Sequence, residues 1–530
     1  MTKKISIIIV IAAIAIAGIT AVIVLIGSIK WRYELDSPLM MYAGFLLTSG
    51  KVPYRDFFDM NMPGTYFIMA AMGGLIGWSD LDSRIFDLIC LVIISGSTFF
   101  WMRRFGKLPA LAASILFPLW YLREGPSLSL QREYIALVPF SLLLVAATAP
   151  GKLNYVLRAL LAGILTGIAF LIKPQFLLLS LPPLLILIFT DETGISHRNR
   201  FAAMIGAILL PLGAVLIYMV WTDSLRPFIE IATSYWPLYT NLSGGHRSIS
   251  GLRRIYYIIF NTMQWVITFY LPVAVLGLIA LDRNKTQRWY TWMMVGLLFA
   301  SILYPGLSGK FWLYHWIPFY YVVLCTASLT LLLIPFNKWN IAYAAPVLCV
   351  ILVLLSLSFQ NFENLRQRKW VGAPNNGVPD EIYEYLSTHM EPGDTVQPLD
   401  WTGGSVHGML MARATLATRF IYDFHFYHHI SNPYIQKLRS EFIEELRDEK
   451  PRFIIQVLEY KPWPSGPDTT REFPELRMFL KQNYSKVYIG ETFRILEYNG
   501  DPQLMVTPTG GESALYWSNR WNMEWTSNLR

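Results

Sequence analysis

Ile5-Ser-Ile-Ile-Ile-Val-Ile-Ala-Ala-Ile-Ala-Ile-Ala-Gly-Ile-Thr-Ala-Val-Ile-Val-Leu-Ile-Gly27 carries no charge. About 20 apolar residues in a helix cross the hydrocarbon core of a bilayer, so the run is long enough to span. A secretory signal has an apolar core of about 7–15 residues and a small-residue cleavage site. This run is longer and lacks a convincing site, so it reads as a membrane helix that stays in the protein. Similar runs follow at 84–102, 107–122, 132–149, 155–172, 175–190, 201–221, 256–281, 289–304, 316–335 and 341–359. The expected fold is a polytopic α-helical membrane protein of about eleven spans.

The composition agrees. Hydrophobic residues make up 54% and charged residues 15%, against about 25% charge in soluble domains. The deficit lies in residues 1–360, whereas 361–530 reads as an ordinary soluble domain. That tail is expected to be α/β, with helices at Ile382–His389 and Ile435–Glu449 and strands at Arg452–Leu458, Val487–Tyr488 and Phe493–Tyr498. The net charge of +8 does not point to nucleic acid, because the basic residues of the first part sit mainly in short loops, as membrane topology demands. Cys90, Cys325 and Cys349 all lie in apolar runs, which leaves no disulfide framework.

Loop charge sets the orientation. With the N-terminus inside, the inner loops hold Arg103–Arg104–Lys107, Lys152–Arg158, His197–Arg198–Arg200, Arg283–Lys285–Arg288 and Lys338. Eleven spans then place the soluble domain outside. The fifteen-residue run 64–78 is short for a span and reads as an interfacial or re-entrant helix within a first outer loop, 29–83.

That loop holds the densest chemistry. Glu34 and Asp36 closely follow the first span, and Arg55, Asp56 and Asp59 precede Pro63-Gly64. Taken singly, each of these carboxylates reads as a solvated loop charge. Together they form a pattern: Asp36-x-x-x-x-x-Tyr42-Ala43, Gly50-x-x-Pro53-Tyr54-x-Asp56-Phe57-x-Asp59 and Pro63-Gly64-x-Tyr66. The pattern resembles the GT-C superfamily of membrane glycosyltransferases, in particular the bacterial branch related to protein O-mannosyltransferases and to the aminoarabinose transferase that modifies lipid A. The resemblance covers the membrane domain.

The resemblance implies transfer of a sugar from a polyprenyl-phosphate donor to a lipid, glycan or protein acceptor, at the outer face of the plasma membrane. Asp36 matches the position of the base, with Glu34 beside it. Glu133, at the start of the fourth span, matches a second acidic position. Its plainer reading is an ion pair between Arg132 and Glu133 or Glu124. Tyr42, Tyr54, Arg55, Asp56, Asp59 and Arg132 are candidates for substrate contact. Lys173, in Phe170-Leu-Ile-Lys-Pro-Gln175, is a candidate for the carrier phosphate or else a snorkelling lysine. Lys310, Tyr314 and His315, in Gly309-Lys-Phe-Trp-Leu-Tyr-His-Trp-Ile-Pro-Phe319, match an aromatic–His element of relatives, with Trp312 and Trp316 read as the interfacial belt. Arg247, in a glycine-containing loop, is a weaker phosphate candidate.

One departure stands out. Relatives often carry a lysine at the end of the first-loop motif, whereas this chain has Asn61-Met62-Pro63-Gly64. Lys173, Arg55 or Lys310 would have to supply that charge. No cofactor is required on this reading, and a divalent cation is left open. In the tail, Tyr422–His429 is rich in aromatics and histidine but lacks metal-ligand spacing, so it reads as a surface packed on the membrane domain. Two rival functions are a transporter or lipid flippase, whose charges should sit near the bilayer midplane, and a non-catalytic assembly subunit.

Overall fold

The computed structural model describes residues 3–148, 155–190, 196–283, 287–334, 341–459 and 461–500. Lys152, Lys285 and Lys338 of the inner-loop clusters, positions 149 and 335 at the ends of two expected spans, and 501–530 of the tail lie outside the described residues.

The chain is a multi-pass helical membrane protein with a small C-terminal sheet. Its membrane part contains α1 (Lys3–Gly27), α2 (Ser37–Thr48), α3 (Pro63–Leu75), α4 (Asp80–Met102), α5 (Lys107–Glu124), α6 (Arg132–Thr148), α7 (Tyr155–Ile172) and α8 (Phe176–Phe189). It continues with α9 (His197–Trp221), α10 (Leu225–Glu230), α11 (Trp236–Thr240), α12 (Gly251–Val266), α13 (Tyr270–Asp282), α14 (Arg288–Ser308), α15 (Ile317–Ser328) and α16 (Ile341–Arg366). Every expected span falls on helix. Among the described residues, seven helices are long and apolar enough to cross a membrane, or eight with the bent pair α12–α13. Helix α16 runs past the composition boundary at 360.

The expected span 256–281 is broken into that pair, which bends by 72°. Pro272 explains the break. It has no N–H to donate and crowds the carbonyl four residues back, at Thr268, which favours a break between α12 and α13. Helix α3, which covers most of 64–78, has 13 residues, short of a span, and packs against α2 inside the loop 29–83.

Lipid-facing and core-facing helices differ sharply. Helix α9 leaves Leu209, Leu216, Ile217 and Val220 half or more exposed, an apolar surface that only lipid or another protein would cover. The segment Leu313–Leu333, by contrast, is almost wholly buried. It is the central strut of the bundle, and its first turn carries Tyr314 and His315.

The soluble part contains α17 (Val378–His389), β1 (Thr395–Pro398), α18 (Ser405–Ala412), β2 (Thr415–Leu416), α19 (Pro433–Glu449), β3 (Phe453–Val457), α20 (Pro474–Asn483), β4 (Tyr484–Ile489) and β5 (Phe493–Tyr498). The sheet order is β2-β1-β3-β5-β4. Strand β1 runs parallel to β2 and β3, and β5 runs antiparallel to β3 and β4. The expected helices and strands are present. β1, β2, α18 and α20 come in addition.

Polar contacts fasten the sheet domain to the loop 29–83. Arg32 pairs with both Asp80 and Asp380 at 2.7 Å, and His407 Nε2 lies 3.0 Å from Asp80. The Tyr42 hydroxyl donates to the Ala414 carbonyl at 2.8 Å, and the Phe58 amide to the Arg419 carbonyl at 2.6 Å.

Helices α2 and α3 meet at Gly44, where an added Cβ would lie 2.6 Å from Met69 Cβ and 2.8 Å from the Ala70 backbone nitrogen. Backbone cannot yield as a side-chain tip can. Gly44→Leu is therefore expected to destabilise the protein by about 1–3 kcal/mol, read as a lower midpoint of thermal unfolding in detergent.

Candidate active site

Asp36 stands at the N-cap of α2, yet its carboxylate makes no cap hydrogen bond. An N-cap aspartate ordinarily accepts from the first-turn amides. Here its Oδ2 accepts from Arg132 Nη2 at 3.1 Å and from the Tyr314 hydroxyl at 3.0 Å. Its Oδ1 accepts from the Trp401 indole at 3.3 Å. Three distant elements thus converge on one carboxylate: the start of α6, the first turn of the central helix and the soluble domain.

The backbone around it is held in sparsely populated conformations. Leu35, Leu130 and Phe311, which lead into Asp36, Arg132 and Trp312, have φ of +53°, +55° and +57°. Such non-glycine residues cost free energy and persist only where the surroundings over-determine them. The Leu130 loop is braced from below. Buried Asp87 pairs with buried Arg84, accepts from the Leu130 amide at 3.2 Å, and its backbone carbonyl accepts from the Tyr134 hydroxyl at 2.7 Å.

Asp36 opens into a cleft of about 1150 Å³, mouth included. Its basic residues are Arg132, Lys173 and Lys310, with His315 beside them. Lys173 Nζ lies 2.9 Å from Glu133 Oε1, and His315 Nε2 lies 3.5 Å from the same oxygen. Glu133 is fully buried and sits behind these residues rather than on the cleft surface. The simple pairing of Arg132 with Glu133 or Glu124 is not what forms: Arg132 pairs with Asp36, and Glu124 with Arg123. Nor does Lys173 snorkel. Burial holds its ammonium below the usual pKa, with Glu133 opposing the shift. Lys310 Nζ donates to the Tyr239 and Leu242 carbonyls at 2.9 and 2.7 Å and lies over the Tyr239 ring. Burial, aided by the Arg254 charge, holds it well below its ordinary value.

The other sequence candidates stand elsewhere. Asp59 is buried and occupied by Asn61, Tyr66, the Met60 amide and Tyr422, and burial raises its pKa. Tyr54 donates to the Asn61 carbonyl, and Tyr42 holds Ala414. Arg55 pairs with Asp56 at 2.7 Å, and Arg247 is exposed in an isolated bridge to Ser465. Glu34, its carboxyl raised by burial, does not line the cleft. The belt reading of Trp312 and Trp316 is corrected. Trp312 lines the cleft and donates to the Gly244 carbonyl at 2.8 Å, while Trp316 is fully buried and stacks on Trp265. Tyr422 and Phe424, from the aromatic stretch read as packed on the membrane domain, complete the walls with Trp401 and Tyr239, which sequence reasoning did not single out. In the Tyr422–His429 stretch, His425 and His428 face the Tyr235 hydroxyl at 2.7 and 3.2 Å. Among the described residues, no three His, Cys, Asp or Glu side chains are grouped to hold a metal ion.

No protein-family model and no curated protein sequence matches the chain. Solved structures do. ArnT from Cupriavidus metallidurans bound to undecaprenyl phosphate superposes with a TM-score of 0.57 over 91% of this chain and 97% of that one, at 12% identity. The same protein in the apo state gives 0.55 over the same shares at 11% identity. The Archaeoglobus fulgidus oligosaccharyltransferase gives 0.43 at 10% identity, over 84% of this chain and 70% of that one. This is the GT-C fold. In this fold the described cleft lies between the helical part and the sheet domain, with Asp36 in its wall.

Two outcomes are expected. Lys173→Met leaves Glu133 buried beside an unpaired site and should cost about 3 kcal/mol of stability. Adding Glu133→Gln should restore most of it, which thermal unfolding of the single and double variants would show. The second outcome concerns Asp400, whose carboxylate accepts from the Gly403 amide at 2.6 Å in the turn that presents Trp401. Burial raises its pKa from 3.8 to about 6, with Lys461 opposing. The folded state therefore binds this proton more tightly than the unfolded chain does. Its contribution to stability is full below about pH 4 and is lost as pH rises through about 6. Asp400→Asn should flatten the stability profile between about pH 4 and 6.

Proposed function

We propose that the protein is an inverting glycosyltransferase that moves a sugar from a polyprenyl-phosphate donor to a lipid, glycan or protein acceptor at the outer face of the plasma membrane. The observation that carries this reading is the pairing of Asp36 with a cluster of cations in one cleft beside the membrane helices. The ArnT fold, seen in that protein with undecaprenyl phosphate bound, supports the choice of carrier. On this reading residues 1–360 form the catalytic membrane domain, 361–530 an extracytoplasmic domain, and the N-terminus is cytoplasmic.

The chemistry follows from the charges. Arg132 and Tyr314 hold Asp36 through Oδ2, which leaves Oδ1, with only the long contact from Trp401, to receive a proton. An acceptor hydroxyl oxygen forms a bond to the anomeric carbon while its proton passes to Asp36. The bond from that carbon to the phosphate oxygen breaks on the opposite face, and its electron pair leaves with the polyprenyl phosphate. A phosphate leaves as an anion, so it needs cations and donors rather than an acid. Lys173 and Arg132 line the cleft and suit that task, with His315 beside them, while Lys310 is spent on the Tyr239 and Leu242 carbonyls. These cations take the place of the lysine missing from the first-loop motif. One displacement inverts the anomeric centre.

Purified protein in lipid nanodiscs, offered a panel of polyprenyl-phosphate sugars with an envelope extract, should consume one donor. Asp36→Asn should lower that rate by about 10²–10⁴-fold. Consumption of no donor by the wild type would sink the transferase reading in favour of a transporter or assembly subunit. Equal consumption by both proteins would remove Asp36 as the base.

A further inference from the structure

The sheet domain contains a second cleft, distinct from the one at Asp36. It opens where the parallel strands β1 and β3 end, and α20 and the β4–β5 turn close its far side. It encloses about 1740 Å³, mouth included. The carboxyl ends of parallel strands are where open α/β sheets hold ligands, because the loops diverge there.

Three features narrow the ligand. The first is a carboxylate with unused capacity. Asp423 is 1% exposed and lines this cleft. Its Oδ2 is taken by Lys461 and by the Tyr427 hydroxyl at 2.8 Å. Its Oδ1 has no partner among the described residues. A buried carboxylate oxygen left without a donor is costly, and a ligand hydroxyl would satisfy it. The second feature is aromatic. Trp463 lines the wall, edge-on to Tyr427 at 4.8 Å, with the Lys461 ammonium 4.6 Å and the exposed Arg471 guanidinium 5.9 Å from its ring, so a sugar reaches that ring by displacing Arg471. Sugar rings press their C–H faces on such surfaces and hydrogen-bond through their hydroxyls to carboxylates, amides and guanidiniums. The third is charge. Five Lys and Arg side chains line the cleft against three acidic ones, with Arg471 and Arg477 exposed at its rim. Such an excess selects anions, and guanidinium matches phosphate and carboxylate.

We infer that this cleft binds an acidic saccharide, one bearing phosphate or carboxylate substituents. It also lies one turn of chain from the first cleft. Lys461 Nζ donates to the Leu399 carbonyl at 3.0 Å, and two residues further on Trp401 donates to Asp36. On the transferase reading, on which this last step alone rests, the bound saccharide is the distal part of a glycan acceptor whose reacting hydroxyl reaches Asp36.

The test is calorimetric titration of the full chain in neutral-lipid nanodiscs with three probes: an oligogalacturonate, a phosphorylated oligomannose and neutral maltohexaose. Inorganic phosphate is a fourth arm. At least one acidic saccharide should bind about tenfold or more tighter than the neutral one and than phosphate. Trp463→Ala, and separately Arg471→Glu with Arg477→Glu, should each weaken it about tenfold at an unchanged unfolding temperature. Neither variant replaces Asp423 or Lys461, but Trp463 packs on the Lys461 ammonium at 4.6 Å, so Trp463→Phe, which keeps a ring there, is the control for the fold. Absence of acidic-saccharide binding, equal affinity for the neutral probe, or binding untouched by both variants overturns the site. Phosphate binding as tightly as the saccharides overturns the saccharide assignment. No donor lipid is present, so failure here leaves the Asp36 reading standing, and failure of the Asp36 test leaves this site standing.

Discussion

A carboxylate at the edge of a hydrocarbon layer must find cations or lose its charge, and the contact of Asp36 with Arg132 answers that demand. The two residues belong to segments 96 positions apart. Holding them together fixes where the loop 29–83 sits over α6. The bracing underneath follows from the same need. Ser37 ties to the Ser129 carbonyl, Asp87 receives the Leu130 amide, and Arg84 neutralises Asp87 inside the bundle. Left-handed Leu35 and Leu130 are the local cost of aiming the two charged groups at each other.

The helices were legible because membrane insertion acts on local composition, and an apolar run of sufficient length has few alternatives. Pro272 was visible too, but the apolar run continues on both sides of it, and composition alone does not register a bend. In the cleft, Asp36, Lys310 and His315 were legible through the resemblance to a known family, and Arg132 and Lys173 as ionisable residues beside apolar runs. Trp401 and Tyr239 were not, since nothing local distinguishes an aromatic that lines a cleft from one in a core, and Tyr422 and Phe424 were read only as part of a packed surface. Arg84 and Asp87 could have been found. Opposite charges three residues apart in an otherwise apolar helix imply a buried pair. Tyr42, Tyr54 and Asp59 show the converse: motif residues on the page together, but spent on holding the loop's own shape and its contact with the sheet domain.

The sheet domain is therefore part of the cleft rather than an appendage. Ion pairs at Arg32 and hydrogen bonds at Tyr42 and Phe58 fasten it to the loop 29–83, and its aromatic residues form one wall. The turn Leu399–Trp401 has a foot in each cleft, so a rearrangement on one side displaces an indole that touches the carboxylate on the other.

The order of synthesis gives Trp401 a further meaning. The ribosome makes Asp36 near the beginning and Trp401 some 365 residues later, while Arg132 and Tyr314 arrive in between. The ion pair that holds the carboxylate can form while the bundle is still being inserted. The wall that screens it forms only after the sheet domain has folded and docked. A chain cut short before that domain would have its charged pair assembled but open to water.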